Sequence, residues 1–274
     1  MKIDDEVLVS DLLTELKNYI PNYQAREFVS YLLGIDYKEI NCRLSEKVKL
    51  TGFKRFIIKK VIEGYPVSYV TKNREFFGYD FYVDERVLIP RHETEILVES
   101  ALKLGKKKCN VLDICTGSGV LLSTYLLENK DATGVGVDIS YPALEVAKIN
   151  LLKHGVTDRG FLVCLDALNS LDLLDLGMFD IVLCNPPYIS KNENLPLSVL
   201  YEPHIALFAE EDGYYFYKKL LRILSNSCKE NTVIFFEIGM GMSDQLKEIF
   251  SGKNIGFIED YAGIKRVLKW INSK

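Results

Sequence analysis

The stretch Asn110-Val111-Leu112-Asp113-Ile114-Cys115-Thr116-Gly117-Ser118-Gly119-Val120 reads as a strand, a glycine-rich turn and the start of an apolar helix that runs on to Leu127. Glycines in such a turn let the backbone approach a ligand closely, and the helix N-terminus behind them favours an anionic or carboxylate group. Gly134-Val135-Gly136-Val137-Asp138 then supplies a second strand ending in an acid, where a doubly wound sheet places the residue that holds ribose hydroxyls. A dinucleotide fingerprint would need a third glycine, but Leu122 stands three residues after Gly119, which speaks against a pyrophosphate and hence against NAD or FAD. From residue 92 onward helix and strand alternate, with strands expected near 110–114, 133–138, 161–165, 179–184, 232–238, 255–260 and 266–270. Seven strands closed by a hairpin predict an α/β chain with a Rossmann-like, doubly wound sheet.

The fourth of these strands, Phe179-Asp180-Ile181-Val182-Leu183, runs into Cys184-Asn185-Pro186-Pro187-Tyr188-Ile189. A rigid, polar, aromatic-tipped corner at the end of a buried parallel strand suits a planar ligand such as an amide or an exocyclic amine. The nitrogen of such a group is a poor nucleophile because its lone pair is delocalised, so the site must work by positioning. The side-chain oxygen of Asn185 and the backbone carbonyl of Pro186 offer two acceptors for its two N–H groups. Pro187 stiffens the backbone, and Tyr188 can lie against the flat face of the substrate. A mononucleoside-like cofactor fits the first two strands, and S-adenosyl-L-methionine offers a ribose for Asp138, an amino-acid end for the loop near Asp113 and Gly117, and a methyl group directed at the strand carrying Asn185. Transfer from sulfur to nitrogen asks little acid–base chemistry of the protein, in keeping with only three histidines, His92, His154 and His204, none in a triad or metal spacing. No metal site is expected.

Over nearly its whole length the chain resembles the release factor glutamine methyltransferases. The likeness is carried by Gly64-Tyr65-Pro66-Val67-Ser68-Tyr69, Val87-Leu88-Ile89-Pro90-Arg91-His92-Glu93-Thr94-Glu95, the loop Asp113 to Gly119, Asp138, the Asn185 to Tyr188 corner, Glu202-Pro203 and Asp212-Gly213. The resemblance implies that the corner holds the glutamine of a Gly-Gly-Gln loop, with Asn185, Pro186 and Tyr188 catalytic and Pro187 and Arg91 also touching substrate. It further implies cofactor contacts from Cys115, Thr116, Gly117, Ser118, Gly119, Asp138, Asp166, Ala167 and Asn185. Two positions depart from the family pattern: Cys115 stands where glycine is usual, and Ala167 where a bulky aromatic is common, so stacking on the adenine must come from elsewhere. Arg91 has two readings, a wall of the substrate channel that meets the partner or a surface ion pair with Glu93 or Glu95, and Glu202-Pro203 after the corner could brace Arg91 or the substrate loop.

Residues 1–72 are expected to form a helical bundle that binds the protein substrate, with apolar faces through Val7, Leu8, Leu12 and Leu16, through Phe28, Val29, Leu32 and Leu33, and through Phe53, Phe56, Ile57 and Val61. Residues 73–91 are expected to hold a β-hairpin linker centred on Gly78-Tyr79-Asp80, and 92–274 the methyltransferase domain. With 274 residues and 48% hydrophobic content the chain can build one large core and a small appended domain. A net charge of −4 argues against a broad nucleic-acid surface, and six cysteines without paired metal spacing suggest reduced thiols in a cytoplasmic protein. Met1-Lys2-Ile3-Asp4-Asp5 lacks a signal-peptide pattern, and no apolar run could span a bilayer. The expected partners are peptide chain release factors, with no direct contact to nucleic acid or membrane, and the expected state is a monomer. An adenine-amino methyltransferase on DNA or RNA and a ribosomal-protein glutamine methyltransferase are the alternative functions.

Overall fold

The computed structural model describes residues 6–273, so Met1–Asp5, on which the signal-peptide reading rests, lie outside it. Parallel strands buried on both faces are near-continuous apolar runs, and seven strands form one sheet. They are β1 Asn110–Ile114, β2 Thr133–Asp138, β3 Gly160–Cys164, β4 Ile181–Cys184, β5 Val233–Glu237, β6 Asn254–Glu259 and β7 Lys265–Ile271. Their order is β6-β7-β5-β4-β1-β2-β3. The pairs from β3 to β5 are parallel, and β7 runs antiparallel to both neighbours.

Side chains alternate between two cores, as strand geometry requires. In β4, Ile181 and Leu183 join the face that holds Val111, Leu97 and Leu122, whereas Val182 and Cys184 join the face that holds Ile114, Tyr217 and Trp270. Helices Glu95–Leu102 and Val120–Glu128 supply the first face, and Tyr215–Ser227 and Ser243–Ile249 the second. The carboxyl ends of β1 and β4 lie side by side, with Ile114 paired to Cys184, so the glycine loop and the Asn185 corner leave the sheet next to each other.

The chain divides into two compact units, one reaching Asn73 and taking in Leu195–Tyr201, the other made of Arg74–Asn194 and the chain from Glu202 onward. In the first, helices Val9–Leu16, Asn22–Leu33 and Gly52–Ile62 bury Leu12, Leu16, Phe28, Val29, Ile57, Ile58 and Val61. Two expectations fail there. Val7 and Leu8 belong to a short strand, Glu6–Leu8, paired antiparallel with Lys47–Lys49, because two adjacent apolar residues cannot tell strand from helix. Phe53 and Phe56 are 66% and 55% exposed, since the buried face of their helix runs through Ile57, Ile58 and Val61.

The hairpin lies in the second unit and turns earlier than expected. Arg74–Phe76 pairs with Tyr79–Phe81, so the turn is Phe77-Gly78, both at positive φ of 56° and 77°, as a two-residue hairpin turn requires. The Phe77 N–H donates to Glu95 Oε1 at 3.0 Å, and the Gly78 N–H to Glu75 Oε1 at 2.7 Å. Those two bonds hold Phe77 in a conformation its composition would not suggest. Among the described residues no helix is long and apolar enough to cross a membrane.

Candidate active site

A cavity of about 230 Å3 opens over the carboxyl ends of β1, β2 and β4. Of the residues singled out in the sequence, Cys115, Thr116, Gly117, Ser118, Asp138, Asp166, Ala167, Asn185 and Pro187 line it. Gly119, Pro186, Tyr188 and Arg91 do not, although each is next in sequence to a residue that does. Gly119 caps the helix Val120–Glu128 at φ 77°, and a Cβ there would meet the Ala147 Cβ at 3.0 Å. The missing side chain lets the loop pack closely on the helix Tyr141–Lys153 that carries Ala147. Cys115 also takes a left-handed φ, 60°, the conformation glycine adopts freely and a cysteine holds only at some cost. Its thiol lies against the buried Cys184 thiol, whose titration is driven upward first by burial and then by that contact.

The acids divide by what fixes them. Asp138 Oδ2 accepts the Gly117 N–H at 2.9 Å and Oδ1 the Ser140 N–H at 2.9 Å, so the strand-end carboxylate and the glycine loop are tied together. Each oxygen keeps a further lone pair for a hydroxyl. Burial raises the Asp138 carboxyl above its ordinary value, against the pull of these amides. Asp166 accepts the Leu168 N–H at 2.9 Å and an N–H of Asn169 at 2.7 Å, and its neighbours Ala167 and Leu168 give that wall an apolar surface. With no aromatic at 167, the flat apolar walls are Ile139, which is 52% exposed, and Phe216. The donor set fits a nucleoside carrying a polar tail: carboxylates for ribose and amine, apolar walls between them, and loop amides beside them.

Asp113 lies beneath the loop with no exposed surface. Its Oδ2 accepts from Thr116 Oγ1 at 2.6 Å and from the Leu122 N–H at 3.2 Å, while Oδ1 has no partner among the described residues. Burial pushes this carboxyl up to about 7. A carboxyl raised on folding stabilises the fold fully below its unfolded value and loses that contribution as pH rises through the folded value. The ligand-free Asp113→Asn variant should therefore gain stability over the wild type between pH 5 and 8, by on the order of 2–4 kcal/mol. Denaturant melts at both pH values check this, and a constant gap would contradict it.

The Asn185 corner is braced by residues that sequence reading did not assign. Asn185 Nδ2 donates to Thr94 Oγ1 at 3.4 Å, and the Tyr188 hydroxyl donates to Glu237 Oε1 at 3.2 Å. The Thr94 hydroxyl neighbours the same carboxyl group and draws its titration down, while burial, the larger effect, pushes that group, 3% exposed at the end of β5, up to about 6. Burial, reinforced by Glu237, drives the Tyr188 phenol far above its ordinary value, so Tyr188 stays protonated and donating. The signal that could have found Glu237 was an apolar strand ending in an acid, the pattern that singled out Asp138. Arg91 pairs with neither Glu93 nor Glu95. Its guanidinium meets Glu202 Oε1 at 2.5 Å, and Glu202 Oε2 accepts the Ile89 N–H at 2.9 Å. Glu202 is 3% exposed, so the arginine and the Ile89-Pro90 backbone are clamped to a buried anion. Arg74 Nε adds a bond to the Pro90 carbonyl at 2.8 Å. The histidines serve structural contacts: His92 with Glu95, His154 with the Asp80 carbonyl and the Phe81 ring, and His204 edge-on to Phe208.

The Methyltransferase small domain family matches residues 92–200. Over 288 residues the sequence is 32% identical to a bifunctional methyltransferase of Rickettsia typhi, covering 95% of this chain and 55% of that protein, so the chain spans about half the length of such relatives. It is 35% identical over 235 residues to the release factor glutamine methyltransferase of Bacillus anthracis, with 80% of each chain covered. Among solved structures, the hMettl16 catalytic domain in complex with a MAT2A 3′UTR hairpin superimposes with a TM-score of 0.58 over 72% of this chain and 77% of that one. At 18% identity that is a likeness of fold alone.

Proposed function

The chain belongs to the release factor glutamine methyltransferase family, and we propose that it methylates the side-chain amide nitrogen of the glutamine in the Gly-Gly-Gln motif of peptide chain release factors. S-adenosyl-L-methionine, the family's cofactor, supplies an electrophilic methyl group when bound. The residues that would hold it are Asp138 at the ribose, Asp166 with Ala167 and Ile139 at the adenine, and the Cys115–Ser118 loop at the polar tail.

The observation that carries this reading is the polarity of the corner. Asn185 gives its Nδ2 to Thr94, and its Oδ1 accepts no bond from the described residues. An acceptor at the cavity wall selects a ligand N–H. With the Pro186 carbonyl as the second acceptor, both N–H groups of a carboxamide are held, and its nitrogen is oriented without being deprotonated. After transfer the protonated amide is strongly acidic and releases its proton to water, so no dedicated base is needed. The first compact unit, reaching Asn73 and taking in Leu195–Tyr201, is assigned to gripping the release factor.

Asp138→Ala should weaken S-adenosylhomocysteine binding at least about tenfold by calorimetry, because it removes an acceptor and frees two loop amides. Unchanged affinity would contradict the ribose assignment. The substrate is tested by mass spectrometry after incubating release factors, ribosomal proteins and nucleic acid with labelled cofactor. A single methyl on the Gly-Gly-Gln glutamine is expected; label on a ribosomal-protein glutamine or on adenine would replace this reading with one of its alternatives.

A further inference from the structure

The two heteroatoms of an asparagine amide are nearly the same size, so packing alone does not decide which one faces a substrate. The hydrogen-bond partner behind it does. Behind Asn185 stands Thr94 Oγ1, and behind Thr94 stands Glu237, which also receives the Tyr188 hydroxyl. All of this lies within the protein: Thr94 and Glu237 are each 3% exposed, and Glu237 Oε2 has no partner among the described residues. A hydroxyl can give or take a proton, whereas a carboxylate can only accept. With the carboxylate at its end, the relay runs one way. A Thr94 proton given to the neighbouring carboxylate, whose Oε2 has no other partner among the described residues, would leave the threonine oxygen only accepting, so that Asn185 must offer Nδ2 and Oδ1 is left for the ligand.

We propose that Glu237 is a positioning residue that sets the donor–acceptor direction of the relay from Glu237 through Thr94 to Asn185, and so makes Asn185 an acceptor toward the substrate amide. This rests on the reading of Asn185 as the acceptor for a glutamine N–H. Loss of the carboxylate lets Thr94 turn its proton toward Asn185, the amide flips, and Nδ2 meets a substrate N–H, donor against donor. The ionisable groups acting on Glu237 are Tyr188 and Tyr217 from the second core, Cys184 from β4, Glu93 from the Arg91 segment and Arg266 from β7. Of these, Glu93 opposes the charge on Glu237 and Arg266 favours it. Because burial pushes the carboxyl up to about 6, protonation reverses the relay as pH falls through that value, giving kcat an acid limb.

The test compares the full chain with Glu237→Gln, Thr94→Val and Thr94→Ser. Glu237→Gln keeps the shape but can donate, and should lower kcat on a Gly-Gly-Gln peptide by roughly 10- to 100-fold, abolish the acid limb and leave S-adenosylhomocysteine affinity within about twofold. Thr94→Val should lower kcat similarly, whereas Thr94→Ser, which keeps the hydroxyl, should recover most of it. Wild-type kcat with an unchanged acid limb in Glu237→Gln overturns the proposal, and if that variant does not fold, equal rates for Thr94→Val and Thr94→Ser overturn it. A readout independent of turnover is the side-chain amide resonance of Asn185, assigned by its loss in Asn185→Asp. It should be protected from exchange in the wild type and lose that protection in Glu237→Gln and Thr94→Val. Indifference to both variants overturns the relay, while a responsive resonance in a chain that does not methylate the peptide overturns the substrate reading instead.

Discussion

Asn185→Ala is expected to lower kcat on a Gly-Gly-Gln peptide roughly 100-fold, about 3 kcal/mol of transition-state stabilisation. The magnitude follows from what the side chain is asked to do. A carboxamide nitrogen becomes nucleophilic only as its lone pair leaves conjugation, and an acceptor on its N–H stabilises the positive charge that grows there. That contact is stronger in the transition state than in the bound substrate, so its loss falls mainly on kcat. Asn185→Asp offers a sharper comparison, because it keeps an acceptor but places a second carboxyl near the buried Glu237. Single-turnover rates with radiolabelled cofactor measure both variants, and near wild-type rates for Asn185→Ala would remove Asn185 from the chemistry.

Gly213→Ala should cost about 3 kcal/mol or more of stability and most of the activity. Gly213 sits at φ 91°, directly after Glu211 and Asp212 at 51° and 53°, so three successive residues hold left-handed backbone. A Cβ at 213 would stand 2.1 Å from the Tyr188 carbonyl oxygen. The obstacle is backbone of the Asn-Pro-Pro-Tyr corner, stiffened by two prolines, and cannot rotate aside as a side chain could. The strain of positive φ in a non-glycine adds to the overlap. The corner must shift, and because Tyr188 is also packed against Gly239, it has little room on its other side. Urea denaturation checks the stability loss, and a variant with wild-type midpoint and rate would contradict the placement of this loop.

How far the sequence was legible depends on how local each determinant is. The strands of the large sheet were readable to within one or two residues, most clearly the central β1, β4 and β5, where burial on both faces makes a near-continuous apolar run with an abrupt end. The glycine loop and the proline corner were legible for the same reason: backbone conformation at Gly117, Pro186 and Pro187 is written in the residue type. Phe77 broke that rule by taking a glycine-like φ, stabilised by Glu95 some 18 residues away, which displaced the hairpin from its expected centre. The bracing of the site was least visible. Arg91 is held by Glu202 across 111 positions and Tyr188 by Glu237 across 49. A buried carboxyl and a solvated one are the same letter, and only the approach of β4 to β5 and of the Arg91 segment to Glu202 distinguishes them. Ile139 belongs to this group as well, because its exposure on the cavity wall depends on the chain turning sharply after Asp138.

The most direct test is a crystal structure with S-adenosylhomocysteine and a Gly-Gly-Gln peptide bound. Asn185 Oδ1 and the Pro186 carbonyl oxygen should each lie within about 3 Å of the glutamine side-chain nitrogen, with Nδ2 still on Thr94. A glutamine nitrogen facing any other pair of groups, or an Asn185 side chain turned away from it, would contradict the account.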